Sequence, residues 1–297
     1  MLNSVAKWAV TALTLSSFVS AAPYKLGRRD VSADLLHQFN LFEQYSAAAY
    51  CPENYNSTGT KLTCSAQNCP LVQEADTKTI DEFAGSSWGD VTGFLAVDNT
   101  NKLIVMSFRG SRSTETWISN FDFVKDKVDD VCNGCEIHDG FWRSWNSVSD
   151  TLTPQLKSTV SQYPDYTIVL TGHSAGAAVA TVGTVVLRNA GYTVDLYSYG
   201  CPRIGNKELA EYMTSQTSGT DYRLTHTNDY VPQIPPTWAG YSHLSPEYWI
   251  TTPNNVTVTT SDIQVIQGID STEGNAGSGG MSTDAHGWYL GPISVCE

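Results

Sequence analysis

The first residues with a chemical signature are Thr171-Gly172-His173-Ser174-Ala175-Gly176. A serine between two glycines, placed after a short apolar run and before a helix rich in small residues, has the pattern of a nucleophile on a strand-to-helix turn. Such a turn strains the backbone and crowds the positions two before and two after the serine, so both must be small. A serine nucleophile needs a base, and the base needs an orienting acid. In chain order the acid should follow Ser174 and the histidine should follow the acid. Asp229, in Asn228-Asp229-Tyr230-Val231-Pro232, ends a strand pattern and is the candidate acid. His243 and His286 both follow it. His286 comes after a long glycine-rich loop able to cross the sheet edge, so it is the preferred base, with His243 as the alternative. The chemistry is acyl transfer through a covalent serine intermediate, which also needs an oxyanion site. The Ala175 N–H supplies one donor. Ser111, in Ser107-Phe108-Arg109-Gly110-Ser111-Arg112-Ser113 after an early strand, supplies the second. His173 should point elsewhere on the turn, and His37, His138 and His226 are assigned structural roles.

The elements that must hold these residues alternate. Strands are predicted over 91–97, 103–108, 166–171, 194–199 and 222–227, and helices over 34–49, 139–157, 175–189 and 209–217. Strands alternating with helices imply a mostly parallel sheet with helices on both faces. Next to the Ser111 loop, Trp117, Ile118, Phe121 and Val124 fall at helical spacing within 114–124, with Ser113 as the cap. This reads as a short helical lid that turns an apolar face to lipid, with Arg112, Trp117, Ile118 and Phe121 beside the substrate. The segment 268–282 reads as a long loop.

Processing signals bound the rest. Lys7 followed by the uncharged apolar run Trp8 to Val19 and by Val19-Ser20-Ala21 reads as a secretory signal over 1–21. Arg28-Arg29 marks a propeptide over 22–29, which leaves a single domain over 30–297. No later segment is apolar for long enough to span a membrane. In an oxidising compartment six of the seven cysteines pair. Spacing favours Cys64 with Cys69 and Cys132 with Cys135, and Cys51 with Cys296 then joins the chain ends. Cys201 is left as a buried thiol. Zinc on Cys132-x-x-Cys135 is disfavoured because no second ligand pair follows, so no metal and no organic cofactor is expected. Asn56 and Asn255 begin glycosylation sequons. The chain has 30 acidic against 17 basic residues and a formal charge of −13. That excludes the clustered basic surface nucleic acid requires.

Together these residues resemble the secreted fungal class 3 triacylglycerol lipases of the Thermomyces type. The resemblance rests on Asn40-Leu41-Phe42, Tyr45 to Cys51, Ser107 to Ser113, His226-Thr227-Asn228-Asp229, Tyr241-Ser242-His243 and Ser245 to Trp249. It implies the α/β-hydrolase fold, a triad of Ser174, Asp229 and His286, an oxyanion site at Ser111 and Ala175, and Trp117 as the lid tryptophan. It also implies a monomer acting at a lipid–water interface. Ala175 and Ala177 stand where such lipases usually carry Leu and Gly, and Cys201 where they carry Ala. Thr114 and Thr116 make the lid more polar, and Gly287 replaces a larger apolar residue. These departures leave phospholipase A1 and feruloyl-type esterase activity as alternatives to triacylglycerol hydrolysis. A non-catalytic lipid carrier is disfavoured because all three triad residues are present.

Overall fold

The runs Leu103–Phe108 and Thr167–His173 are buried at every position but Thr167 and carry apolar residues on both alternations, as strands covered on both faces must. They lie side by side, parallel, at the centre of an eight-stranded sheet. The computed structural model describes residues 31–84, 90–119 and 121–296. The secretory signal and propeptide assigned to 1–29 lie outside the described residues.

In chain order the strands are β1 (Thr77–Phe83), β2 (Gly93–Asp98), β3 (Leu103–Phe108), β4 (Lys125–Lys127), β5 (Glu136–His138), β6 (Thr167–His173), β7 (Val194–Tyr199), β8 (Asp221–His226), β9 (Glu247–Ile250) and β10 (Ile263–Ile266). The helices are α1 (Ala33–Ala48), α2 (Pro70–Glu74), α3 (Thr114–Ser119), α4 (Asp139–Gln162), α5 (Ala175–Asn189) and α6 (Lys207–Ser215). The large sheet has the order β1-β2-β3-β6-β7-β8-β9-β10. It is parallel from β3 through β9 and antiparallel at both edges. β4 and β5 form a separate antiparallel pair.

The alternation along β3 shows how the two faces are filled. Ile104, Met106 and Phe108 join the core under α4 and α5. Leu103 and Val105 join the core under α1. α1 also contacts the sheet through polar groups. Ser46 Oγ lies 2.9 Å from Thr171 Oγ1, and Ser107 Oγ donates to the Tyr45 carbonyl at 2.8 Å. Helices therefore cover both faces, as the alternation of elements requires.

The strands 103–108 and 194–199 and the helix 175–189 fall on the expected residues. α4 runs five residues past Lys157 and tolerates Pro154 inside it. The expected lid helix is shorter than its periodicity predicts. α3 ends at Ser119, and Phe121 to Val124 lead in non-helical conformation into β4, whose pairing with β5 pulls the chain extended. Val124 accordingly leaves the Trp117–Phe121 side and is exposed.

The three disulfides join Cys51 to Cys296, Cys64 to Cys69 and Cys132 to Cys135, and Cys201 is a buried thiol. Burial pushes the Cys201 thiol up to about 12, so it is un-ionised at neutral pH. Cys51–Cys296 ties the segment after His286 to the end of α1, closing a loop of 245 positions. Such a closure is worth about 5 kcal/mol in the chain-entropy description.

Glu43 on α1 is buried beside Gly291 and Tyr199, and its Oε1 has no hydrogen-bond partner among the described residues. Burial pushes its carboxyl up to about 8. The folded chain therefore keeps a proton that the unfolded chain releases above about 4.5. This stabilisation is complete below that value and is lost as pH rises toward 8. Glu43→Gln should remove the loss, so the variant's Tm minus the wild-type Tm grows between pH 5 and pH 8 in thermal unfolding. A difference that stays constant with pH would show that Glu43 is ionised in the fold.

Candidate active site

β6 ends at His173 and α5 begins at Ala175, so Ser174 alone makes the turn. Its backbone sits at φ 58°, ψ −130°, a conformation a non-glycine residue adopts only when its surroundings impose it. The imposition is visible on both sides. A Cβ on Gly172 would come within 2.6 Å of the Gly176 carbonyl carbon. A Cβ on Gly176 would strike the Phe108 and Arg109 carbonyls at the end of β3. The first glycine thus serves the turn, and the second lets α5 press onto the neighbouring strand. The Ser174 N–H donates to the Tyr199 carbonyl at 2.9 Å. Ser174 Oγ is buried and has no hydrogen-bond partner among the described residues. The N-terminal end of α5, with its partial positive charge, opens directly at this serine.

Asp229 lies three residues past β8 and is fully buried. A buried carboxylate needs donors, and this one has three. His286 Nδ1 approaches its two oxygens at 2.8 and 3.0 Å. Tyr289 Oη donates at 2.5 Å, and the Val231 N–H at 2.9 Å. An ionised carboxylate only accepts, so His286 Nδ1 carries the hydrogen and the Nε2 lone pair faces away from Asp229. His286 Nε2 is buried and, like Ser174 Oγ, has no hydrogen-bond partner among the described residues. The Asp229 carbonyl accepts from Asn275 Nδ2 at 2.9 Å, which fastens the glycine-rich loop behind the acid.

His286 sits on a short 3₁₀ turn, Asp284–Gly287. Two other histidines hold that turn by its carbonyls. His173 Nε2 donates to the His286 carbonyl at 2.9 Å, and His226 Nδ1 contacts the Ala285 carbonyl at 2.9 Å. Burial keeps His173 well below the usual histidine range, reinforced by the nearby His286 ring. The neutral His173 ring therefore donates from Nε2, and its Nδ1 accepts from Tyr50 Oη at 2.7 Å. His243, the alternative base, donates Nε2 to the Pro232 carbonyl at 2.8 Å, and the carboxylate it meets, Asp270, accepts from its backbone N–H at 2.9 Å rather than from its ring. His138 caps α4 by accepting from the Gly140 N–H, and His37 is exposed.

A cavity of about 350 Å³ lies over this end of the sheet. Ser111, Arg112, Trp117, Phe121, Phe141, Ala175 and Val179 line it, so both expected oxyanion residues face one space. Gly110 lets the Ser111 loop reach the elbow, since a Cβ there would lie 2.9 Å from Ser174 Cβ. Ser113 Oγ accepts the Thr116 N–H at 3.3 Å and starts α3 as expected. Trp117 and Phe121 pack at 4.4 Å and lean on Phe141 and His138. Ile118 is half-buried but not part of the cavity wall. Asn56 and Asn255 are both exposed.

The sequence reading missed Tyr289, Asn275 and Tyr50. Tyr289 stood in view three residues past His286, and a buried acid's need for further donors is the signal that finds it.

A mostly parallel sheet flanked on both faces, with a serine on the turn between a central strand and its helix, is the α/β-hydrolase fold. Residues 105–238 match the family described as Lipase (class 3), and residues 2–81 the Lipase 3 N-terminal region. The secreted mono- and diacylglycerol lipase A of Penicillium cyclopium is 47% identical over 286 residues, covering 94% of this chain and 93% of that one. The solved mono- and diacylglycerol lipase of Aspergillus oryzae superposes with a TM-score of 0.83 at 40% identity, covering 88% of this chain and 98% of that one. A triacylglycerol lipase whose structure was described as having a serine protease triad at its catalytic centre superposes at 0.79 and 27% identity, covering 91% of this chain and all of that one. The chain belongs to the class 3 lipases.

Tyr289→Phe removes one hydrogen bond to a buried charge, an interaction worth about 1.5 to 3 kcal/mol. Steady-state kinetics should show kcat falling about tenfold or more with KM little changed. An unchanged kcat would mean that Asp229 is held well enough by His286 and Val231 alone.

Proposed function

We propose that this lipase cleaves acylglycerol esters with Ser174 as nucleophile, His286 as general base and then acid, and Asp229 as the orienting carboxylate. The observation that carries the proposal is the pairing of His286 Nδ1 with Asp229 at 2.8 Å while His286 Nε2 and Ser174 Oγ stay buried with no hydrogen-bond partner among the described residues. Nε2 takes the Ser174 proton as Oγ adds to the ester carbonyl. The Ala175 and Ser111 N–H groups hold the oxyanion. Nε2–H then protonates the leaving glyceride oxygen, and water, deprotonated by Nε2, releases the fatty acid. The mechanism draws only on side chains, backbone groups and water.

The acyl chain occupies the cavity between Ala175, Val179, Trp117 and Phe141, whose walls are mainly apolar. Trp117 and Phe121 cover it in water and turn toward lipid when the protein meets an interface. Relatives named as mono- and diacylglycerol lipases support partial glycerides as substrates beside triacylglycerols. Three disulfides and the secreted relatives support secretion, with cleavage after Ala21 and trimming after Arg29. The exposed Asn56 and Asn255 carry glycans, and the enzyme works as a monomer.

The test measures hydrolysis of mono-, di- and triacylglycerol and of phosphatidylcholine through their solubility limits, for wild type and Ser174→Ala. Wild type should prefer acylglycerols to phosphatidylcholine, and its rate should rise sharply when droplets form. Ser174→Ala should lose about ten-thousand-fold or more in kcat. A variant within about tenfold of wild type would remove Ser174 from the mechanism.

A further inference from the structure

Trp238 is 81% exposed, at the tip of a 3₁₀ turn spanning Thr237–Ala239. A tryptophan so displayed leaves most of its apolar surface in water, and the turn beneath it is firmly held. Lys125 Nζ donates to the Gly240 carbonyl at 2.9 Å, pairs with Glu136 at 3.1 Å and lies over the Tyr241 ring. Tyr241 Oη donates to the Val124 carbonyl at 3.3 Å. Phe123, 41% exposed, meets Trp238 edge-on at 6.1 Å, and Val124 beside it is 55% exposed. Half of the six large apolar side chains exposed among the described residues are thus gathered on one small face.

The face continues into the catalytic cavity. Phe123 packs on Phe121 at 6.4 Å, and Phe121 on Trp117 at 4.4 Å. Trp117 and Phe121 line the same space as Ser111 and Ala175. An apolar path therefore runs from Trp238 to the expected oxyanion residues. Its start is not on the lid: the 237–240 turn is pinned to β4 whatever α3 does. The charge around it also selects a partner. The chain is −13 overall, and the Asp122 carboxylate beside Phe123 is exposed. An anionic surface would be repelled, while an uncharged or zwitterionic one admits a tryptophan at its headgroup level.

We propose that Trp238, Phe123 and Val124 form a fixed foot that docks the enzyme on an uncharged lipid surface and so sets the cavity mouth against it before the lid moves. This rests on the lipase reading for its purpose but not for its measurement. The experiment is flotation with vesicles of phosphatidylcholine alone or with added phosphatidylglycerol, performed on the full mature chain in a Ser174→Ala background so that no turnover intervenes. Docking should favour pure phosphatidylcholine. Trp238→Ser should weaken partition about tenfold or more, Phe123→Ser should weaken it less, and Trp238→Phe should restore most of it. The two Trp238 variants keep the parent's Tm, because that side chain is exposed. Unchanged partition in both serine variants would overturn the proposal, as would tighter binding to the anionic vesicles. Dimerisation of the parent chain that Trp238→Ser abolishes would also overturn it, by making a second copy the occupant. Failure of the catalytic reading appears separately, as activity surviving Ser174→Ala.

Discussion

One fully buried carboxylate organises the site. Asp229 has no access to water, so the desolvation of its charge must be offset by hydrogen bonds. Those bonds come from His286, Tyr289 and the Val231 backbone, and Asn275 holds the carbonyl of the same residue. Apart from Val231, these donors lie between Asn275 and Tyr289, near the C-terminal end of the sequence. The anion therefore draws the C-terminal segment across the ends of β7 and β8. The Cys51–Cys296 bridge and the contacts of His173 and His226 to the His286 turn fix the segment from its other side. The His286 ring is bonded at Nδ1 and its backbone is held independently, so its orientation is set twice over.

The second constraint is steric, and it acts from the sheet outward. β3 and β6 are neighbours, and α5 must lie so close to β3 that only glycine fits at 176. This closeness leaves Ser174 with its strained angles and also brings the Ser111 loop to the elbow through Gly110. The proposed nucleophile and oxyanion donors are thus set by the same packing of one helix on two strands. The strain costs the fold of order 1–3 kcal/mol at Ser174, which the core on both faces must offset.

How much of this is legible in the sequence depends on whether the signal is local. β3, β7 and α5 fall on the expected residues because apolar, two-face-buried strands and a small-residue helix carry their own pattern. β1, β9 and β10 were not foreseen. They are edge or near-edge strands carrying Lys78, Asp81, Glu82 and Glu247, and they form because a neighbour pairs with them. The lid was overextended because Trp117, Phe121 and Val124 keep helical spacing, while the pairing of β4 with β5 is a tertiary event that spacing does not record. In the site, motif and position lead to the expected order serine, acid, histidine, and the structure pairs that acid with that histidine. Tyr289, Asn275 and Tyr50 reach their partners across 60, 46 and 123 positions of chain, and no short pattern announces such contacts.

The central claim is that Ser174 is activated by His286 alone among the histidines. An active-site label tests it directly: diethyl p-nitrophenyl phosphate added in the presence of lipid droplets, with the modified peptide identified by mass spectrometry. The account predicts one equivalent of phosphoryl group on Ser174, abolished by His286→Ala and retained in His243→Ala. Phosphorylation of another residue, or labelling that survives His286→Ala and disappears in His243→Ala, would contradict it.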